Sequence, residues 1–100
     1  MIARVWRGVI RAEHIDEYVK YIEATGGGEY TRTPGNRGAW TLSRVEGDRA
    51  EIIALSFWDS RQAIEGFAGP DIEQSVLYPQ DEHYLLSPST ITHYEVADLP

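Results

Sequence analysis

One hundred residues, 42% hydrophobic and 25% charged, fit a single globular domain over residues 1–100. A formal net charge of −7 repels a phosphate backbone and argues against a nucleic-acid partner, while the absence of cysteine excludes disulfides, thiolate metal sites and thiol catalysis. No run of about 18 apolar residues could cross a membrane as a helix, and the first residues lack a signal-peptide pattern, so a cytoplasmic location is the expectation.

Met1 to Ile10 is rich in Ile, Val and Trp and predicts a first strand. From Glu13 the period changes. Ile15, Tyr18, Val19 and Ile22 fall at i, i+3, i+4 and i+7, one stripe of an amphipathic helix, and Asp16 to Lys20 adds a favourable i,i+4 ion pair. Gly26 to Gly28 are expected to end that helix. Pro34-Gly35-Asn36 marks a turn. Two strands follow, Gly38 to Glu46 and Arg49 to Trp58, joined by Gly47-Asp48 as a type II′ hairpin loop.

The run Ile52 to Trp58 is nearly all apolar, so both faces of the third strand are expected to be buried. Asp59 with Gln62 reads as the cap of a second helix, whose inward stripe is Ala63, Ile64, Phe67 and Ala68 and whose stop is Gly69-Pro70. Asp71 and Gln74 repeat the pattern for a short piece ending near Leu77. Leu77 to Ser89 has no clear period and reads as a lid or a dimer arm. Thr90 to Val96 is the fourth strand.

The order βαββαβ predicts an α+β, ferredoxin-like antiparallel sheet with both helices on one face. Its other face would then expose a sheet-sized apolar patch, since Val5 and Val9 of strand 1 point opposite to Trp6 and Ile10. A homodimer packing sheet to sheet is the expected remedy.

The run LSFWDSRQAIEGFAG, Leu55 to Gly69, resembles the strand-to-helix signature of the antibiotic biosynthesis monooxygenase family, and Pro34-Gly35 sits where that family has its turn before strand 2. VLYPQDEHYLL followed by ITHYEV is similar to an uncharacterised branch of it. The resemblance covers essentially the whole chain and implies a dimeric α/β barrel. Members of that family include cofactor-independent oxygenases that turn polyketide phenols into quinones, haem-degrading enzymes, and many proteins without a known substrate. Anchored on Trp58, which matches the tryptophan of the polyketide-oxidising branch, that branch's strand asparagine falls at Ala54, its helix tyrosine at Ile64 and its later arginine near Tyr78. For the haem-degrading branch the helix tryptophan falls at Phe67, the axial histidine at Leu77 and the strand asparagine at about Trp6. Haem chemistry therefore lacks its ligand, and no cofactor is expected.

Cofactor-free oxygenation requires a pocket for a flat phenol or enol, a base, and room for dioxygen. A histidine suits the proton transfer, its ordinary pKa being about 6.5. His93 and His83 are the candidate bases. His93 shares a strand face with Ile91, as a base or as a satisfied core histidine. His83 lies on the long segment, as a base or as a solvated loop residue. His14 reads as a surface residue. Trp6, Trp58, Tyr78 and Tyr84 are candidate wall residues for a small aromatic compound, against the plainer reading that the tryptophans only fill the core. Arg4 shares a face with Trp6. It either pairs with Glu95 or Glu51 or meets an anionic ligand. Asp81, Glu82 and His83 are adjacent in a loop and do not converge as ligands, so no metal is expected. The leading expectation is a cofactor-independent monooxygenase-like protein acting on a small aromatic or enolic compound, and the rival is a non-catalytic dimeric small-molecule-binding or interaction protein of the same fold.

Overall fold

The structure, a computed structural model, describes residues 1–97. Four antiparallel strands, β1 (Ile2–Arg11), β2 (Asn36–Glu46), β3 (Arg49–Trp58) and β4 (Thr90–Glu95), form one sheet in the order β2-β3-β1-β4. That is the ferredoxin-like arrangement, and its helices lie on a single face. β1 and β3 sit at the centre, where each strand is paired on both sides, and this is why they carry the most apolar sequence.

The register decides which side chains meet. Ile2, Arg4, Trp6, Gly8 and Ile10 stand opposite Trp58, Ser56, Ala54, Ile52 and Ala50, and these ten are buried on the helical side. The alternate set on β3, Ile53, Leu55 and Phe57, is half-buried in the single chain. It shares the far face with Val5 and Val9 and with three exposed side chains, Trp40, Leu42 and Tyr94. Gly47 alone of the hairpin pair has positive φ, +66°, as a type II′ turn requires.

After one 3-10 turn at Ala12–His14, α1 (Ile15–Ile22) buries Tyr18 and Ile22 from its predicted stripe. The glycines do not end it. The chain widens into a π turn, Glu23–Gly27, and resumes as α2 (Gly28–Arg32) with Gly27 and Gly28 in ordinary helical backbone geometry. Each helical glycine costs about 1 kcal/mol relative to alanine. Tertiary packing outweighs that cost: Tyr30 of α2 is buried, with its ring 4.4 Å from Phe67 and 6.0 Å from Trp58.

The second helix, α3 (Arg61–Ala68), is capped by Ser60 and not by Asp59: the Ser60 hydroxyl accepts the Ala63 amide at 3.1 Å. Asp59 instead takes Arg37 across the β2–β3 end. Asp71 and Gln74 make a single turn rather than a helical piece, closed by Gln74 N–H to the Asp71 carbonyl. Within the long segment the structure adds a short helix, α4 (Asp81–Tyr84). No helix among the described residues is long and apolar enough to cross a membrane.

Candidate functional site

A cleft runs between the α1–α2 helix and the sheet. Its floor is made of small side chains that the register places together, Ala39 and Thr41 of β2 and Ala54 of β3. Gly27 and Gly28 lie in the roof with Ile22 and Tyr30. Where the two glycines face Ala39, Thr41 and Ala54, a slot of about 480 Å3 remains, within the usual range for a small-molecule site. On the inner side of Tyr30 and Ile22 a second cavity of about 30 Å3 is lined by Trp6, Tyr18, Phe67, Val76, Tyr78 and Asp81. That is room for one or two waters.

Gly8 allows Trp6 its position: a Cβ there would stand 2.7 Å from the indole ring and from Leu85. Tyr78 covers the cavity from outside, its ring against Gly26 and its hydroxyl donating to Glu29 at 2.7 Å. Asp81 is buried and fully engaged, accepting the Tyr18 hydroxyl at 2.8 Å on one oxygen and the Tyr78 amide at 2.6 Å on the other. Burial, and then the Asp81 carboxylate, holds the Tyr18 phenol well above its ordinary range, and burial with Glu29 does the same for Tyr78.

Beyond Tyr30 lies a buried polar knot. Arg4 is completely buried and among the described residues meets no carboxylate: Nη1 donates to the Ile72 carbonyl at 2.6 Å and to His93 at 2.9 Å, Nη2 donates to the Gln74 carbonyl at 3.2 Å, and Nε has no partner among them. The expected pairing with Glu51 or Glu95 is therefore wrong. Glu51 is on the far face, bound by Arg7 and Arg44, and Glu95 stands opposite Ile2. Since an arginine only donates, His93 Nε2 must be the acceptor, which leaves the ring proton on Nδ1, 3.5 Å from Glu73. Burial, and then Arg4, pushes the His93 pKa below the ordinary histidine range and keeps the ring neutral. Burial likewise lowers the Arg4 pKa, and the Tyr30 phenol, raised by its own burial, is drawn back down by Arg4.

The candidate residues are thus divided. Trp6 and Tyr78 line the inner cavity. Trp58 does not: it is completely buried in the core, its indole N–H donating to Ser56 at 2.8 Å. Arg4 and His93 sit together behind the cavity wall, with the His93 side chain 3% exposed. His83 is exposed on α4, outside both spaces. Tyr84 backs the site, its ring 4.7 Å from Tyr18 and its hydroxyl bound to Glu17. Among the described residues no three metal-ligating side chains converge.

Sequence reading missed Tyr30, which follows glycines expected to end the helix, and Ala39 and Thr41, which are merely small until the register sets them on the helical face beside Ala54. Four positions that the resemblance assigned to family chemistry, Trp6, Ala54, Phe67 and Tyr78, do line the cavity wall, with different side chains. Of the others, Ile64 is buried core and Leu77 is exposed.

No family model and no curated protein sequence matches the chain. Solved structures do match it in fold. A monooxygenase of Streptomyces coelicolor, in complex with the ligand nanaomycin D, is 18% identical with a TM-score of 0.60, over 99% of this chain and 91% of that one. The haem degrader MhuD of Mycobacterium tuberculosis, with two haems in its active site, is 17% identical with a TM-score of 0.63 over 100% of both chains. An antibiotic biosynthesis monooxygenase is 13% identical with a TM-score of 0.62, over 98% of this chain and 100% of that one.

Proposed function

From the fold that this chain shares with antibiotic biosynthesis monooxygenases, we propose that it takes a flat phenol or enol into the slot between the glycine-rich turn and β2–β3 and oxidises it without a cofactor. The observation that carries this reading is the slot itself, bounded by small residues on two elements and ending on Tyr30. Behind Tyr30, the Arg4 guanidinium draws the pKa of a neighbouring phenol down against the effect of burial, as it does for Tyr30 itself. The same charge lowers the cost of holding a phenolate at the inner end of the slot.

The bound anion supplies the electrons. Dioxygen takes one from it, the two radicals join at the ring carbon para to the oxygen, the peroxide takes back from water the proton that the phenol had released there, and the hydroperoxide loses water together with the hydrogen of that carbon to leave a quinone: one phenol and one dioxygen give one quinone and one water. Neither histidine faces the slot, so in this reading the ligand enters already ionised, and His93 acts only by holding Arg4. A second reading is favoured by one observation. The carboxylates lining the two spaces are Glu23, exposed at the outer lip, and Asp81, whose oxygens are both engaged, which suits a protein that binds the same ligand and does not turn it over.

The proposal includes a homodimer. Trp40, Leu42 and Tyr94, each about half-exposed, adjoin Val5, Leu55 and Phe57 on the far face, and a second copy of that face covers them.

Phenols, quinols and enolisable diketones are to be screened for oxygen uptake and for tryptophan fluorescence quenching. Ala39→Leu fills the slot and is expected to weaken both at least about tenfold, ~1.4 kcal/mol. His83→Ala is expected to change neither. Saturable binding blocked by Ala39→Leu but without oxygen uptake selects the second reading, and binding indifferent to Ala39→Leu removes the site.

A further inference from the structure

The segment from Asp71 to Gln80 crosses the cavity as a strap. Among the described residues its backbone makes no backbone-to-backbone hydrogen bond to any strand; the bonds of that kind it makes are local, Gln74 to Asp71, Asp81 to Tyr78 and His83 to Gln80, and at its far end the Gln80 amide donates to the Tyr21 hydroxyl of α1 at 3.0 Å. What ties it to the sheet is side chain: Ile72 buried in the core, Ser75 bonded to Ser89 at 2.8 Å, and the two bonds from Arg4 to the Ile72 and Gln74 carbonyls. Two and four residues beyond Gln74, Val76 and Tyr78 form the outer wall of the cavity.

We infer that His93 is a proton-operated latch on this strap: in its neutral form it accepts from Arg4 and aims the guanidinium at the strap carbonyls, and protonation releases the strap and opens the cavity beneath Tyr78. The geometry admits both states. Nε2 is the only acceptor His93 offers Arg4, and adding a proton there converts a 2.9 Å hydrogen bond into contact between two cations in a buried site. Three charged groups from three elements face the ring. Arg4 of β1 and Arg61 of α3 oppose its protonation, and Glu73 of the strap, 3.5 Å from Nδ1, supports it. Tyr30 adjoins Arg4 and carries no charge at neutral pH. Glu73 is exposed and belongs to the strap, so release of the strap also separates His93 from its one favourable charge.

The sign follows from the folded-state pKa lying below the unfolded value. Stability from the neutral ring is complete above about pH 6.5 and is lost as pH falls through the lowered folded value. The inference stands apart from the proposed reaction, since the strap would open whatever the cavity receives.

Hydrogen–deuterium exchange of the whole protein, corrected for intrinsic rates and followed from pH 8 to pH 5, reads the latch directly. The amides of residues 72–78 are expected to lose at least about tenfold of protection in a transition below pH 6.5, while those of β1 and β3 keep theirs. His93→Gln retains a neutral acceptor and is expected to abolish the transition. Glu73→Gln is on the surface and leaves packing intact; it is expected to deepen the loss of protection below pH 6.5, because it removes the charge that steadies the protonated ring while the strap is closed. Strap exchange that is flat with pH in the unaltered protein, a transition that survives in His93→Gln, or a loss of protection that Glu73→Gln does not deepen would each overturn the latch.

Discussion

Ser56 is the polar side chain that β3 turns toward the core, and it is there for Trp58: the hydroxyl accepts the indole N–H at 2.8 Å, with both residues completely buried. Ser56→Ala keeps the strand and most of the volume but strands a buried donor. It is expected to destabilise the protein by about 1–3 kcal/mol, as urea denaturation followed by Trp58 fluorescence would measure. An unchanged midpoint would mean that water replaces the hydroxyl. Arg4 is the opposite case, a buried charge satisfied mainly by backbone carbonyls. The sequence placed it on the Trp6 face correctly. Its partners were illegible, because Ile72 and Gln74 lie about seventy residues away and contribute carbonyl oxygens, which no side-chain pattern encodes.

At the scale of elements, the passage of the helix through Gly26, Gly27 and Gly28 is where local propensity and tertiary packing disagree, and packing wins. A conventional helix end at Gly26 would have left Tyr30 without its place between Trp58 and Phe67. The turn before β2 works the other way, since there the local signal and the structure agree. Gly35 has φ +90°, and a Cβ on it would stand 2.5 Å from the Ala63 side chain of α3. Gly35→Ala combines a disfavoured backbone with a clash against a helix and is expected to cost more than about 2 kcal/mol, visible as a fall in Tm of several degrees. Gly47→Ala has the same backbone sign but open space around it, so it isolates the conformational part and is expected to cost less.

For the molecule as a whole, the apolar far face of the sheet is what a second copy would cover. Trp40, Leu42 and Tyr94 are 54%, 46% and 56% exposed, on the face that the half-buried side of β3 shares. Two copies joined there have a stability that depends on protein concentration. Sedimentation at micromolar concentration is expected to give twice the chain mass of 11.3 kDa. Leu42→Asp, which buries a charge only if that face is an interface, is expected to give the monomer mass and a lower Tm. A chain that sediments as a monomer before the substitution would leave the face without a second copy.

The strands, the first helical stripe, the hairpin and the sheet order were determined by the sequence itself, because a period of two or 3.6 and a turn residue needing positive φ act over a few residues. The cleft lies on the helix-covered face that this order defines. What only the tertiary structure decided are the features made where distant segments meet. Thr41 standing opposite Ala54, with Ala39 beside it on the same face, opens a slot, Tyr30 closes its inner end, and Arg4 reaches the strap. Smallness, emptiness and an unpaired carbonyl have no signature along a chain, and they become chemistry only when the fold places two of them face to face.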